Sequence, residues 1–363
     1  MKIKNLSMKN IFNKSLLLVS FASALLIVIT SCKKDSDGNP AGEPSQSPSA
    51  KLIRPDSGAG NTVLILEGTG LSDIRTIVFE RNSVPGTFNP NFNTDLSLVF
   101  RVPDTAFGGP QNIVFTNSAG ISFSVPFKVI ALASVASVSS YSWSAGERIT
   151  LTGNNLDDVS AVTFDVAGTA ATIVSKTRKT LVLTMPASTV VSTKFKITNA
   201  SGTITTTQEF INADQAFVFL RDGYGNGEQD ASWGDAGGIS LVQKISGLSS
   251  YGKNYQKGNW HLMGFGWNNI SQGSYQYLSF WMRGGLIDHE IFVNSNQSAG
   301  GVRAYNSYEK IDVRAGVWQY YKLSLATLKL WQNGAAFNQI AWSIKGPDNA
   351  DELMYLDDVM LIK

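Results

Sequence analysis

One stretch of this chain occurs twice, and that repetition limits the fold more than any other feature. TVLILEGTGLSDIRTIVF, from Thr62, aligns with ERITLTGNNLDDVSAVTF, from Glu147, 85 positions later. Gly68 matches Gly153, Leu71 matches Leu156, Asp73 matches Asp158 and Phe79 matches Phe164. Val102-Pro103 then answers Met185-Pro186, and FTNSAG (115–120) answers ITNASG (197–202). Self-similarity of this kind marks two copies of one structural unit in series. Within each copy, apolar and polar residues alternate over short runs that end at Gly, Asn or Asp. Alternation puts every second side chain on one face of a strand. Short strands separated by such turns build a β-sandwich. The expected fold class is therefore all-β, beginning with two tandem immunoglobulin-like sandwiches over 52–130 and 131–212. Their turn glycines are expected to supply positive φ, and Asn-x-x-Gly a tight hairpin.

Beyond Asp214 the composition changes. Seven of the eight Trp, ten of the eleven Tyr and both His fall in the last 150 residues. Strand-like runs recur there, among them YQYLSFWMRG (275–284), HEIFVNS (289–295), VWQYYKLSL (317–325) and ELMYLDDVMLIK (352–363). Only LATLKLWQN (325–333) suggests a turn or two of helix. Residues 213–363 are thus expected to form one larger, jelly-roll-like β-sandwich.

Most of these aromatics fit a core. In YLSFWMRG, Leu278 and Phe280 share one face and Trp281 takes the other. Trp318, Tyr320, Trp342 and Tyr355 also read as packing residues. Trp233 differs, because GYGNGEQDASWGDAGG around it holds almost no apolar neighbour. Trp260 and Trp267 stand among Gly and Asn in GNWHLMGFGWNN, with Asn268-Asn269 reading as a turn. A Trp in such a loop suits a sugar. The pyranose faces carry C–H groups that an indole covers without desolvating the hydroxyls at the rim. Nearby amides and carboxylates can then fix those hydroxyls. The candidate glycan-binding residues are Trp233 and Trp267 first, then Trp260, Tyr251, Tyr255, His261 and Asn268.

The N-terminus explains the single cysteine. Residues 1–15 carry Lys2, Lys4, Lys9 and Lys14 with no acid, and LLLVSFASALLIVI follows from Leu16. A basic region before a short apolar one describes a signal peptide, 1–31. Its length falls short of the ~20 residues that span a bilayer core. Ile29-Thr30-Ser31-Cys32 resembles the lipobox of bacterial lipoproteins, which implies that Cys32 is acylated and leads the mature chain. Lone in 363 residues, it can close no internal disulfide. Residues 32–51, with DSDGNPAGEPSQSPSA, read as a flexible tether. Removing four leader lysines takes the formal charge from +2 to about −2 (+2 minus 4). Nothing in that balance offers the basic patch that nucleic acid requires.

The lipobox, the "G-x-x-L" and "TN-x-x-G" steps of the repeats, and the Trp-rich terminal module ending in YLDDV together carry a resemblance. The repeats resemble the IPT/TIG immunoglobulin-like family. The whole layout resembles the surface glycan-binding protein B family of Bacteroidetes polysaccharide-utilisation loci, whose last module is a xyloglucan-binding-type domain. The resemblance implies a non-catalytic lipoprotein on the outer membrane, facing the cell exterior and anchored in its lipid through Cys32. It implies a polysaccharide ligand, xyloglucan or another β-linked plant-type glycan, and a TonB-dependent transporter complex as a partner. The platform role falls on Trp233 and Trp267.

Other chemistry is weaker. Gly-x-Gly-x-Gly in RDGYGNGEQD (221–230) opens no helix that could receive a phosphate. Its oxygen-bearing side chains suggest instead a structural Ca²⁺, with Asp222 and Asp358 as candidate ligands; no other cofactor is expected. A glycoside hydrolase or lyase would need two carboxylates across a cleft, and Asp230, Asp235, Asp288, Glu290 and Glu309 stand in no recognisable acid/base motif. A protein-binding adhesin is the third alternative.

Overall fold

The computed structural model describes residues 45–235, 237–305, 310–345 and 350–363. The signal segment, Cys32 and Glu309 lie outside them. The described residues form two compact units, divided between Ile130 and Ala131.

In the first unit, a three-stranded sheet holds Val63–Thr69 between Ser49–Arg54 and Ser97–Arg101. A five-stranded sheet faces it, with Gly109–Asn117 paired between Ile74–Phe79 and Ser122–Ile130. Leu64, Leu66, Leu71, Phe79, Phe100 and Phe115 are buried between them, the last two rings meeting edge-on at 5.5 Å. The second unit opens with the matching sandwich. Its core gathers Trp143, Leu156, Phe164, Phe195 and Phe210.

The matched residues of the repeat now have distinct physical roles. Leu71 and Leu156, and Phe79 and Phe164, occupy equivalent buried positions. Asn117 and Asn199 each turn a side-chain oxygen onto two backbone N–H groups of their hairpins, Ala119 and Ile121 in one copy and Ser201 and Gly202 in the other. Gly120 has φ +79°, as a tight turn requires. Gly68 and Gly153 do not follow that expectation. A Cβ on Gly68 would overlap the Ser49 carbonyl, and one on Gly153 the Ser134 carbonyl. Both sit where the edge strand shifts register, at Ala50/Leu52 and at Thr152/Gly153. They are glycines because two backbones approach closely, not because φ is positive.

The rest of the second unit is a two-sheet sandwich. One sheet runs Gly237–Ser240, Ser250–Tyr255, Glu352–Ile362, Tyr277–Arg283, Trp318–Ser324, with Phe217–Leu220 also paired to Glu352–Ile362. The other runs Gln229–Asp230, Trp260–Ser271, Ala336–Lys345, His289–Ser295, Lys310–Val313. Leu278, Phe280, Met263, Phe265, Ile340 and Trp342 fill the space between them. Leu325–Leu328 makes a single helical turn. The fold class is all-β, as the alternation indicates.

Position 212 separates two sets of sheets but not two compact bodies. Tyr141 packs against Trp281, with the tilted rings' centres 4.8 Å apart. Arg221 binds the Ser142 hydroxyl and the Glu147 carboxylate, and Asp358 accepts from the same Ser142 hydroxyl at 2.9 Å. Ile211, Met360 and Ile362 form an apolar cluster alongside. We expect Gly153→Ala to destabilise the 131–363 unit by about 1–3 kcal/mol, the range of overpacking. Gly238→Ala, where a Cβ meets nothing within 4 Å, should leave its thermal midpoint unchanged.

Candidate functional site

The two tryptophans singled out from loop composition are both exposed. Trp233 is 46% and Trp267 56% accessible. The sheet containing Trp260–Ser271 positions both. Residues 229–233 run antiparallel along that strand, Gln229 opposite Gly266, Asp230 opposite Phe265 and Trp233 opposite Leu262. Trp233 and Leu262 exchange both backbone hydrogen bonds at 3.2 Å. Trp267 follows Gly266 in the irregular stretch between Gly266 and Ile270. About five strand residues therefore separate the two indoles along one sheet edge, ~17 Å at ~3.4 Å each. That length accommodates a chain of several sugar rings.

The Trp233 loop is fixed from below by a polar network. Asp230 Oδ1 accepts from the Tyr251 hydroxyl and from Ser232 N–H, each at 2.9 Å. Ser232 Oγ lies 2.7 Å from that same hydroxyl and accepts from Gly264 N–H. Lys253, buried, donates to the Asp235 carbonyl, and Asn254 donates to the Asp235 carboxylate at 2.6 Å. Burial lowers the Lys253 pKa, while Asp230 and Asp235 oppose that shift. His261 Nδ1 accepts from Asp235 N–H at 2.9 Å. Gly234, at φ +100°, lies so close to His261 that a Cβ would overlap Nδ1. Above the loop, the Arg303 guanidinium sits 4.0 Å from the Trp233 ring centre, a cation–π contact that holds the indole.

Several candidates therefore take supporting places. Tyr251 and Tyr255 have no exposed surface and His261 is 4% exposed, so none of the three presents a face to a ligand. Tyr255 donates to the Trp342 carbonyl inside the core. All three belong to paired strands. Trp260 itself opens its strand in register with Lys345. Asn268 donates to the Asn226 carbonyl and to Glu228 at 3.0 and 3.1 Å, tying the Trp267 stretch to the 226–228 turn. Arg303, Lys253 and Gly234 carried no local signal. Arg303 arrives from 70 positions away in the chain (303 minus 233).

The acidic residues are likewise engaged. Asp222 accepts N–H groups of Leu248 and Ser249, and Asp358 the Ser142 hydroxyl, so both calcium candidates serve loop and junction. Among the described residues, no three His, Cys, Asp or Glu side chains gather as a metal site. Asp288 accepts from Ala315 N–H and Glu290 pairs with Lys310.

Burial holds the His261 pKa below its ordinary value, and Lys253 pushes the same way. The unfolded chain takes up a proton near pH 6.5 while the folded ring stays neutral. The stability this ring contributes is complete above that pH and falls as pH drops toward the folded value. We expect His261→Asn, which keeps an acceptor without titrating, to remove that part of the pH dependence. Thermal midpoints of both proteins between pH 8 and 5 test this; parallel curves would contradict it.

An IPT/TIG domain model matches residues 133–211. No curated protein matches the chain. Three solved structures are similar to it at low identity. A surface glycan-binding protein from Prevotella bryantii shows 16% identity and a TM-score of 0.48, covering 88% of this chain and 99% of that one. A surface glycan-binding protein B from a xyloglucan utilization locus of Bacteroides uniformis shows 16% identity and a TM-score of 0.38, covering 87% and 99%. Its counterpart from a mixed-linkage glucan locus of Bacteroides ovatus, bound to a heptasaccharide, shows 14% and 0.30, covering 87% and 76%. Structural neighbours of this chain include surface glycan-binding proteins, and its residues 133–211 carry the IPT/TIG match.

Proposed function

We propose that the protein binds a polysaccharide without cleaving it, stacking sugar rings on Trp233 and Trp267. The observation that carries this reading is the pair of exposed indoles along one sheet edge, one of them locked from beneath by buried hydrogen bonds. A rigid platform loses little entropy when a ligand arrives, so ring burial converts efficiently into affinity. Asn, Gln and Asp groups beside the edge are suited to hydroxyls at the sugar rim.

Xyloglucan or another β-linked plant-type glycan is the class that the sequence resemblance suggests. In this reading, acylated Cys32 anchors the protein in the outer membrane with the head facing outward. The immunoglobulin-like modules are the stalk, and a TonB-dependent transporter complex receives the captured glycan. Each carboxylate available for hydrolysis that the structure describes is occupied by a structural bond, which supports binding over catalysis.

Affinity gel electrophoresis across a panel of glycans tests the assignment. On a glycan that retards the wild type, Trp233→Ala and Trp267→Ala should each weaken binding about tenfold, from ~1–2 kcal/mol of lost ring burial. Unchanged retardation would remove these residues from the site. Release of reducing sugar would instead favour the hydrolase, and failure on every glycan would favour an adhesin. Cys32→Ala should move the protein from the membrane fraction to the soluble one.

A further inference from the structure

One cleft in the second unit lies away from the tryptophan pair. It opens on the outward face of the other sheet, with a volume of about 560 Å³, and Arg283, Tyr355, Leu353, Leu286, Gln243 and Asp351 line it. Strand register explains how it forms. Arg283 pairs with Trp318 on one side and with Tyr355 on the other. The three side chains make one row across neighbouring strands, on the face opposite Leu278, Phe280 and Met282. Tyr355 lies over Gly252, where a Cβ would come within 2.9 Å of the ring. The Trp318 and Tyr355 ring centres are 6.4 Å apart, so the two rings lean together across the strand that carries Arg283.

Glycines and one buried acid let the wall of this cleft pack closely. A Cβ on Gly284 would overlap the Arg314 carbonyl, and one on Gly285 would overlap the Glu352 carboxylate. That buried carboxylate accepts the Leu286 N–H and fixes the wall. Gly316 borders the Arg283 guanidinium, a Cβ there standing 3.8 Å from Nη2. Asp351 stands at the rim with one oxygen accepting from Lys257 N–H at 3.0 Å.

Arg283 itself is only partly accessible, and its guanidinium has no hydrogen bond or ion pair among the described residues. This sets it apart from Arg221, which is bound to Glu147 and Ser142. A guanidinium is always charged and offers a planar fork that matches a carboxylate in two parallel bonds. On the strand between those of Trp318 and Tyr355, that fork is presented beside a partly exposed indole suited to the C–H face of a sugar. We propose that this cleft is a second saccharide site, selective for a sugar that carries a carboxylate. Arg283 takes the uronate group, the partly exposed Trp318 beside it takes the ring with Tyr355 packed behind, and Gln243 and Asp351 take hydroxyls. The site lies on the opposite sheet from Trp233 and Trp267, so each can fail without the other.

Titration calorimetry on the full mature chain tests this with trigalacturonate, a glucuronate-bearing xylotetraose and plain xylotetraose. We expect at least one acidic probe to bind, more weakly as salt is raised. The Trp233→Ala/Trp267→Ala double variant should retain that binding. Arg283→Gln should weaken it at least about tenfold, the loss expected of charge-assisted bonds, and Trp318→Ala should weaken it too. Arg283→Lys, which keeps charge and loses the fork, should fall between. Circular dichroism and the thermal midpoint establish that each variant is folded. The proposal is overturned if neither acidic probe binds, if xylotetraose binds as well as its acidic counterpart, or if folded Arg283→Gln binds like wild type.

Discussion

Residues 230–235 cross the edge of a sheet, and every backbone polar group they bury there must find a partner. Asp230 and Ser232 supply some of these partners from within the stretch, and Tyr251, Lys253, Asn254 and His261 supply the rest from two neighbouring strands. Because those four sit on paired strands, the network holds the loop in one place. Trp233 then stands out from a surface that would otherwise be mobile. Gly234 is the constraint that lets the loop approach His261 at all. The exposed chemistry of this sandwich therefore depends on polar groups that never reach solvent.

A second buried network fuses the neighbouring modules. Asp357 accepts N–H groups from Ile245 and Ser246, and Asp358 accepts from Ser142. Burial raises the pKa of both; the Asp358 charge raises that of Asp357 further, and the Asp222 charge that of Asp358. Arg221 offsets part of that rise beside Asp358. Removing one of these donors would leave a buried carboxyl oxygen without its partner, which is costly. The network also specifies how the immunoglobulin-like module meets the larger sandwich within 131–363.

The repeat was readable because each copy must bury the same positions. Leu71 and Leu156, or Phe79 and Phe164, recur as apolar letters for that reason. Trp233 and Trp267 were readable because Gly- and Asn-rich surroundings cannot bury an indole. Tyr251, Tyr255 and His261 were misplaced by the same criterion, since the partners that bury them come from distant strands. Tyr251 and Tyr255 pair with Leu356 and Glu352, a hundred or so positions onward. Gly68 and Gly153 were recognised, but their reason was not, because close approach of another strand leaves no local mark.

Sequence alone determined the class of fold, the tandem repeat and the exposure of two tryptophans. Each follows from local alternation or local composition, which a linear chain records directly. Tertiary structure decided which polar groups support Trp233, how Arg303 reaches its ring, and that Arg283, Trp318 and Tyr355 form one row. Those relations depend on strand register and on which strands become neighbours. Both are set by long-range packing, and no stretch of the chain carries them by itself.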